Sequence, residues 1–444
     1  MNWLRLKSRP LNITKVFLAP SVFLTPLGLW ICFGKAGRLC SKCFNPFKWA
    51  TGGFVSLQAT FILAKLTLGQ NALPDLAYMV FVAIRQISIM QKIYKFNTTK
   101  IKLQQLIKEC FTIGSAPNTI KPEILQFNEA CQMVPKTFII MLSIILLDVF
   151  PAWLYSATTP LPIPVWLPTR PEEFPFAFLC LKCASSFFLF MSLMLVLGFF
   201  SLYVSLATAC RLMTKHLNDV LAALSKPERF ETGKNRDAEA LTSNAEYNKS
   251  VRDVLFYAHK LHLNIIMFMD FVNANFSHVL LLEMWVILLG QCIMAFNIAK
   301  LAVLDTFRVV SLVQIITAST LLFSFICYEG SQVIKEFIPV PALGSANKFK
   351  FIFEIFDKSG KVCNSFFFNI FKSQKIKSSS FGTAWWSFDQ DNYLFIKMIC
   401  LRAEEPLAFK IGSFNFPLSL ETMKVILEIS FTYFMFLCQY KQRN

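Results

Sequence analysis

Side chains that usually carry chemistry are scarce in this chain. Its four histidines are His216, His259, His262 and His278, and it lacks the G-x-x-x-x-G-K-[ST], G-x-G-x-x-G, H-E-x-x-H and G-x-S-x-G patterns. His259 and His262, three residues apart, share a helix face and could ligate a metal. No Cys or acidic residue completes that set, so a polar helix face is the plainer reading. Cys40 and Cys43 form a single CxxC with no second pair at zinc spacing and no His nearby, which reads as coincidence. Neither an enzyme nor a metal or cofactor site is expected.

Charges inside apolar runs are the next candidates, because an ionisable group in hydrocarbon is costly and calls for a reason. Arg85, Asp148, Lys182 and Glu283 stand in such runs. Asp148, about one helical turn from Trp153, either faces a cavity opening outward or forms a structural pair. Both readings stay open.

Aromatic and sulfur-bearing residues gather in three runs: Tyr78, Met79 and Phe81; Trp153 and Tyr155; and Phe187, Phe188, Phe190 and Met191. Such residues suit a pocket for small apolar molecules, although lipid contact or packing explains most of them singly. Leu146, Val149, Phe150 and Trp153, spaced by three and four, mark the face where a pocket is first expected. Near the C-terminus, Thr432, Phe436 and Gln439 form a helical stripe with a bulky ring between two polar groups. A gate on a water-filled path needs that order.

These residues must be positioned by membrane helices. Of 444 residues, 55% are hydrophobic and 16% charged, against about 25% charged in an average soluble domain. The charges lie between apolar runs long enough to cross a bilayer. Seven spans are expected at 50–68, 73–95, 136–158, 176–208, 274–298, 308–330 and 417–440. No secretory signal is expected, because the run after Arg5, Lys7 and Arg9 holds Pro20 and Pro26 and lacks a small-residue cleavage site. The 13 cysteines show no paired framework, so a reduced state is expected.

Orientation follows from the basic loops, since short loops rich in Lys and Arg stay cytosolic. Seven lysines from Lys92 to Lys136 follow span two, and nine basic residues from Arg211 to Lys260 follow span four. By contrast, 69–72 has none, 159–175 only Arg170 and 299–307 only Lys300. The expected fold is therefore an all-α membrane protein of seven transmembrane helices, with the N-terminus cytosolic and the C-terminus extracellular. The loop 211–260 and the stretch Val254–Phe276 add helices extending below the membrane. A net charge of +17 is then a cytosolic surface facing anionic membrane lipid, not a nucleic-acid site. A G-protein-coupled receptor is excluded by the orientation and by the absence of its span-three and span-seven motifs.

The segment Phe337–Phe381 holds ten Phe and seven Lys with no clear period. It admits two readings, a translated intron or a divergent cytosolic loop.

The C-terminal residues Glu405-Pro406-Leu407, Gly412, Pro417 to Thr422, Ile426-Leu427 and Ser430 to Phe434 resemble the signature of the insect odorant receptor family. Leu161–Pro168 and Phe325–Val333 give weaker matches. Departures are the segment 337–381 and Phe431-Thr432 in place of part of the usual Ser-Tyr-Ser-Tyr-Phe. The ending Thr432-Tyr433 with Gln439-Tyr440 is also similar to gustatory receptors, so a gustatory channel working without a co-receptor is the alternative. A transporter using Asp148 and Glu283 is a third class, but no internal repeat supports it.

The resemblance implies an odorant-binding subunit of a ligand-gated, non-selective cation channel in the plasma membrane of a sensory neuron, assembled as a tetramer with the odorant co-receptor. It implies a small volatile odorant bound among spans two, three, four and six, with Trp153 near the aromatic pocket position of span three; the pocket residues expected here are Tyr78, Phe81, Leu146, Val149, Trp153, Phe187, Phe190, Met191 and Thr317. It also implies a central pore made by span seven, with Phe436 at the hydrophobic gate and Gln439 in the polar ring outside it, and Thr432 joins them on the stripe read above. The expected division is a cytosolic segment 1–49, helices one to six with the pocket in 50–336, the insertion 337–381, and an anchor with pore helix seven in 382–444.

Overall fold

The computed structural model describes residues 17–24, 47–68, 73–112, 175–224, 240–301, 306–337, 389–403, 407–413 and 416–443, with a few single residues besides. Expected span three, with Asp148, lies outside the described residues, as does the Cys40–Cys43 pair. Most of the insertion does too, although Ile376 near its end is buried in the core.

In chain order the elements are α1 (Leu18–Leu24), α2 (Phe47–Leu68), α3 (Leu73–Thr112), α4 (Pro175–Ala223), α5 (Ala240–Leu301), α6 (Thr306–Phe337), α7 (Gln390–Arg402), β1 (Lys410–Ile411), β2 (Phe416–Pro417) and α8 (Leu420–Arg443). Helix α5 runs 62 residues, about 93 Å at 1.5 Å per residue, three times the thickness of a hydrocarbon core. No Gly or Pro occurs between Ala240 and Leu289, so nothing breaks its hydrogen-bond ladder where the charged stretch passes into the apolar one. Helices α3 and α4 likewise continue beyond their apolar runs, for 40 and 49 residues. Two stretches among the described residues, Phe190–Ala222 and Val251–Ile293, are long and apolar enough to cross a membrane by length and composition.

Helix α4 is the centre of the bundle. Leu195, Leu197, Phe199, Leu202, Val204 and Leu206 are buried on all its sides, which marks a helix surrounded by others rather than one with a single apolar stripe. Helices α1, α5 and α6 pack on it, and α3 pairs chiefly with α5. Where α3, α4 and α5 meet, the rings of Phe96, Phe199 and Phe276 lie 5.9–6.3 Å apart. Each such aromatic contact stabilises by about 1 kcal/mol beyond its buried area.

Two basic residues counted above as loop charges belong to this interior. Lys92 is almost fully buried, its Nζ 2.5 Å from Glu283 Oε2, and Ser88 Oγ donates to the same oxygen at 2.9 Å. The Lys92 ammonium also lies 5.2 Å from the centre of the Phe199 ring. Arg211 lies 3.6 Å from Glu329, which also accepts from Thr208 Oγ1 at 3.4 Å. Both pairs join helices distant in sequence, and a carboxylate on the facing helix is why these basic side chains turn inward. Cys180, Cys183, Cys210, Cys292, Cys327 and Cys400 are free thiols.

The polar-face reading of His259 and His262 is corrected. Helix α7 covers that side of α5, with Phe395 against Phe256 and His259. His262 is fully buried, and neither ring nitrogen has a hydrogen-bond partner among the described residues. No group of three metal-ligating side chains occurs among the described residues.

Candidate functional site

The strongest local construction in the molecule holds the start of α8. Ser419 lies just before the helix, and its Oγ accepts from the Thr422 N–H at 3.2 Å, satisfying a donor that no helical carbonyl reaches. Glu421 in the first turn complements the positive end of the helix dipole. Across the helix boundary, the Leu420 N–H donates to Ser331 Oγ of α6 at 2.8 Å.

The β1–β2 hairpin fixes this start against α5. Asn273 uses both ends of its amide, donating to the Ala408 carbonyl at 3.0 Å and accepting from the Lys410 N–H at 2.9 Å. Gly412 turns the hairpin at φ +63°, a conformation costly for other residues, and its N–H donates to the Ser277 carbonyl. Close approach also demands Gly330 on α6, where an added Cβ would lie 2.3 Å from the Leu418 carbonyl oxygen. The start of α8 is thus clamped to α5 and α6 by side-chain hydrogen bonds from Asn273 and Ser331 and by close backbone approach at Gly412 and Gly330.

Beyond the clamp, α8 divides into two faces. Met423, Ile426 and Ser430 are buried against the bundle. Thr432, Phe436 and Gln439 are all exposed, and at 100° per residue their stripe is centred about 150° round the helix from the buried one. Phe436 is 61% exposed and Phe431 64%. Aromatic surface of that extent, continued by Tyr433 and Met435, marks contact with lipid or with another chain.

The other candidate residues are more dispersed. Phe81 is buried, its ring so close to Gly290 of α5 that an added Cβ there would lie 2.6 Å from it. Phe187 and Phe190 are exposed on α4, and Met191 is half-buried against the core. Thr317 is exposed on α6. Tyr78 lies on α3, but its side chain is outside the described residues, as are Leu146, Val149 and Trp153 altogether. Among the described residues, therefore, the gate stripe shares one face, whereas the pocket residues are spread over α3, α4 and α6. Lys92, Ser88 and Gln291 were missed as interior polar residues; their position inside long helices without an acidic neighbour in sequence gave no signal of a partner.

The family model of the 7tm odorant receptors matches residues 68–341 of this chain. The chain belongs to the odorant receptor family. The fold agrees: the insect olfactory receptor OR5 from Machilis hrabei superimposes with a TM-score of 0.65 at 14% identity, covering 95% of this chain and 97% of that one. The same receptor in complex with eugenol gives 0.62 at 12% identity, covering 96% and 97%. No curated protein sequence matches. Odorant receptors are embedded in membranes, so the two long apolar stretches of this receptor have a lipid solvent to meet.

Proposed function

We propose that this receptor is an odorant-binding subunit of a ligand-gated, non-selective cation channel that works with the odorant co-receptor in the plasma membrane of a sensory neuron. The observation that carries the reading is the division of α8, clamped at its start and packed on one side, with Thr432, Phe436 and Gln439 on the other. A helix held so, with its polar-aromatic-polar stripe facing away from its own bundle, suits a pore built from several subunits. In that pore Phe436 forms the hydrophobic constriction, from which water withdraws and through which an ion cannot pass without shedding hydration. Gln439 supplies the polar ring on its outer side.

The basic loops support a cytosolic N-terminus, seven spans and an extracellular C-terminus. Segment 382–444 is then the anchor and pore helix, following helices one to six in 50–336 and the insertion 337–381. The pocket is formed by Tyr78 and Phe81, by Leu146, Val149 and Trp153, by Phe187, Phe190 and Met191, and by Thr317. Eugenol bound to the similar receptor supports a small volatile, partly aromatic ligand class. The match to odorant receptors weighs against the gustatory alternative.

The test is the current evoked by an odorant panel that includes eugenol, in cells expressing this chain with an insect odorant co-receptor or either alone. An odorant-evoked cation current in the co-expressing cells, absent with the co-receptor alone, is expected. No evoked current despite normal surface levels would refute the reading.

A further inference from the structure

Above the clamp, one polar contact joins α5, α6 and α8 within otherwise apolar surroundings. Gln291 of α5 donates through Nε2 to Thr320 Oγ1 of α6 at 2.7 Å, and its Oε1 accepts from Ser430 Oγ of α8 at 3.1 Å. Gln291 and Ser430 are both 7% exposed. Next to Gln291, the Cys292 thiol lies 3.8 Å from the Ser430 carbonyl as a weak donor. A glutamine amide has one donor end and one acceptor end, so it can hold two hydroxyls at once where a hydrocarbon side chain holds neither.

The Ser430 hydroxyl has one proton and two acceptors. Besides Gln291 Oε1 it reaches its own Ile426 carbonyl at 2.8 Å. With the proton on Ile426 the helix satisfies itself, a back-bond that tends to bend a helix; with the proton on Gln291, α8 is tied to α5 and α6. These are two orientations of one hydroxyl, and only the second ties α8 to its neighbours. Ser430 sits two residues before Thr432 and six before Phe436, on the buried side of the same helix. A pull at Ser430 therefore turns the exposed stripe. On α6, Thr320 lies one turn from Thr317, a residue of the proposed pocket.

We infer that Gln291 is a positioning residue that couples α6 to the orientation of the pore-facing stripe of α8 through Thr320 and Ser430. This rests on the reading of α8 as the pore helix, and it assigns the link between the helix that carries Thr317 and the gate.

The test measures the stripe directly and needs no ligand. Gln439→Cys is introduced into the full chain, expressed with the co-receptor, and labelled at the cell surface with a cationic methanethiosulfonate, subtracting the rate for the chain that keeps Gln439. Gln291→Leu and Ser430→Ala should each change the labelling rate by about threefold or more, and their combination should go no further than the larger single change, because both break one bridge. Ser430→Thr, which keeps the hydroxyl, should stay within about twofold. Thr320→Val cuts the same bridge from α6 with almost no change in volume, and covers the case in which the glutamine variant fails to reach the surface. Rates that multiply in the double variant, or that stay at the parent value in all of them, overturn the inference. Labelling that couples as expected in a receptor without odorant-evoked current overturns the channel reading and leaves this link standing; uncoupled labelling with intact current does the reverse.

Discussion

Replacing Glu283 by Leu strands a buried cation, and the cost follows from its surroundings. The side chains of Lys92 and Glu283 are 1% and 8% exposed, and their charged atoms are 2.5 Å apart. The rings of Phe199 and Phe200 have their centres 5.2 and 5.9 Å from the ammonium. Removing one partner of such a pair costs about 3–5 kcal/mol, whereas replacing both by apolar residues of similar volume is near neutral or stabilising. Because a fold is typically stable by about 5–15 kcal/mol, Glu283→Leu should markedly lower both surface level and apparent melting temperature in detergent. Lys92→Met should cost less, because Ser88 still donates to Glu283 and Arg85 lies near enough to act on the same carboxylate. Lys92→Met with Glu283→Leu should recover most of the loss, giving an interaction energy of about 3 kcal/mol in the double-mutant cycle. A Glu283→Leu receptor as heat-resistant as the parent, or a double variant as damaged as the sum of the singles, would refute the reasoning.

A second outcome tests orientation. Three of the chain's sequons, Asn12-Ile-Thr14, Asn97-Thr-Thr99 and Asn248-Lys-Ser250, lie on the proposed cytosolic side. None should be glycosylated, and a glycosidase-sensitive mass shift that disappears in Asn97→Gln or Asn248→Gln would falsify the topology.

The C-terminal element was the most legible part of the chain. Pro417 to Thr422 and Ser430 to Phe434 carry the resemblance, and they form the hairpin edge and helix α8, because a polar-apolar stripe is a local signal; the Ser419 cap was not read. The continuity of α5 was not read. The loop 211–260, the stretch Val254–Phe276 and span 274–298 were expected as separate elements, although the fifty residues from Ala240 to Leu289 hold no Gly or Pro to break a helix. Pairings across the bundle were not legible. Lys92 and Glu283 are 191 residues apart, and Ser430 and Gln291 are 139, so which charge or hydroxyl finds which partner depends on helix packing that no single segment encodes. The same holds for the pocket, whose residues come from several helices and, for Leu146, Val149 and Trp153, from a segment outside the described residues.

The central claim is that the exposed stripe of α8 lines an ion path, and it is tested most directly by changing that stripe and recording ligand-free current. Phe436→Ser places a small hydroxyl where an apolar ring excluded water, so water should persist in the constriction and basal cation conductance should rise in cells co-expressing the co-receptor. Gln439→Ala should alter ion preference more than basal opening. The co-receptor subunits supply the rest of the ring, so the rise is smaller than in a ring built from this chain alone. Basal conductance equal to that of the parent receptor, at matched surface level, would mean that Phe436 faces lipid or a neighbouring helix and not the pore.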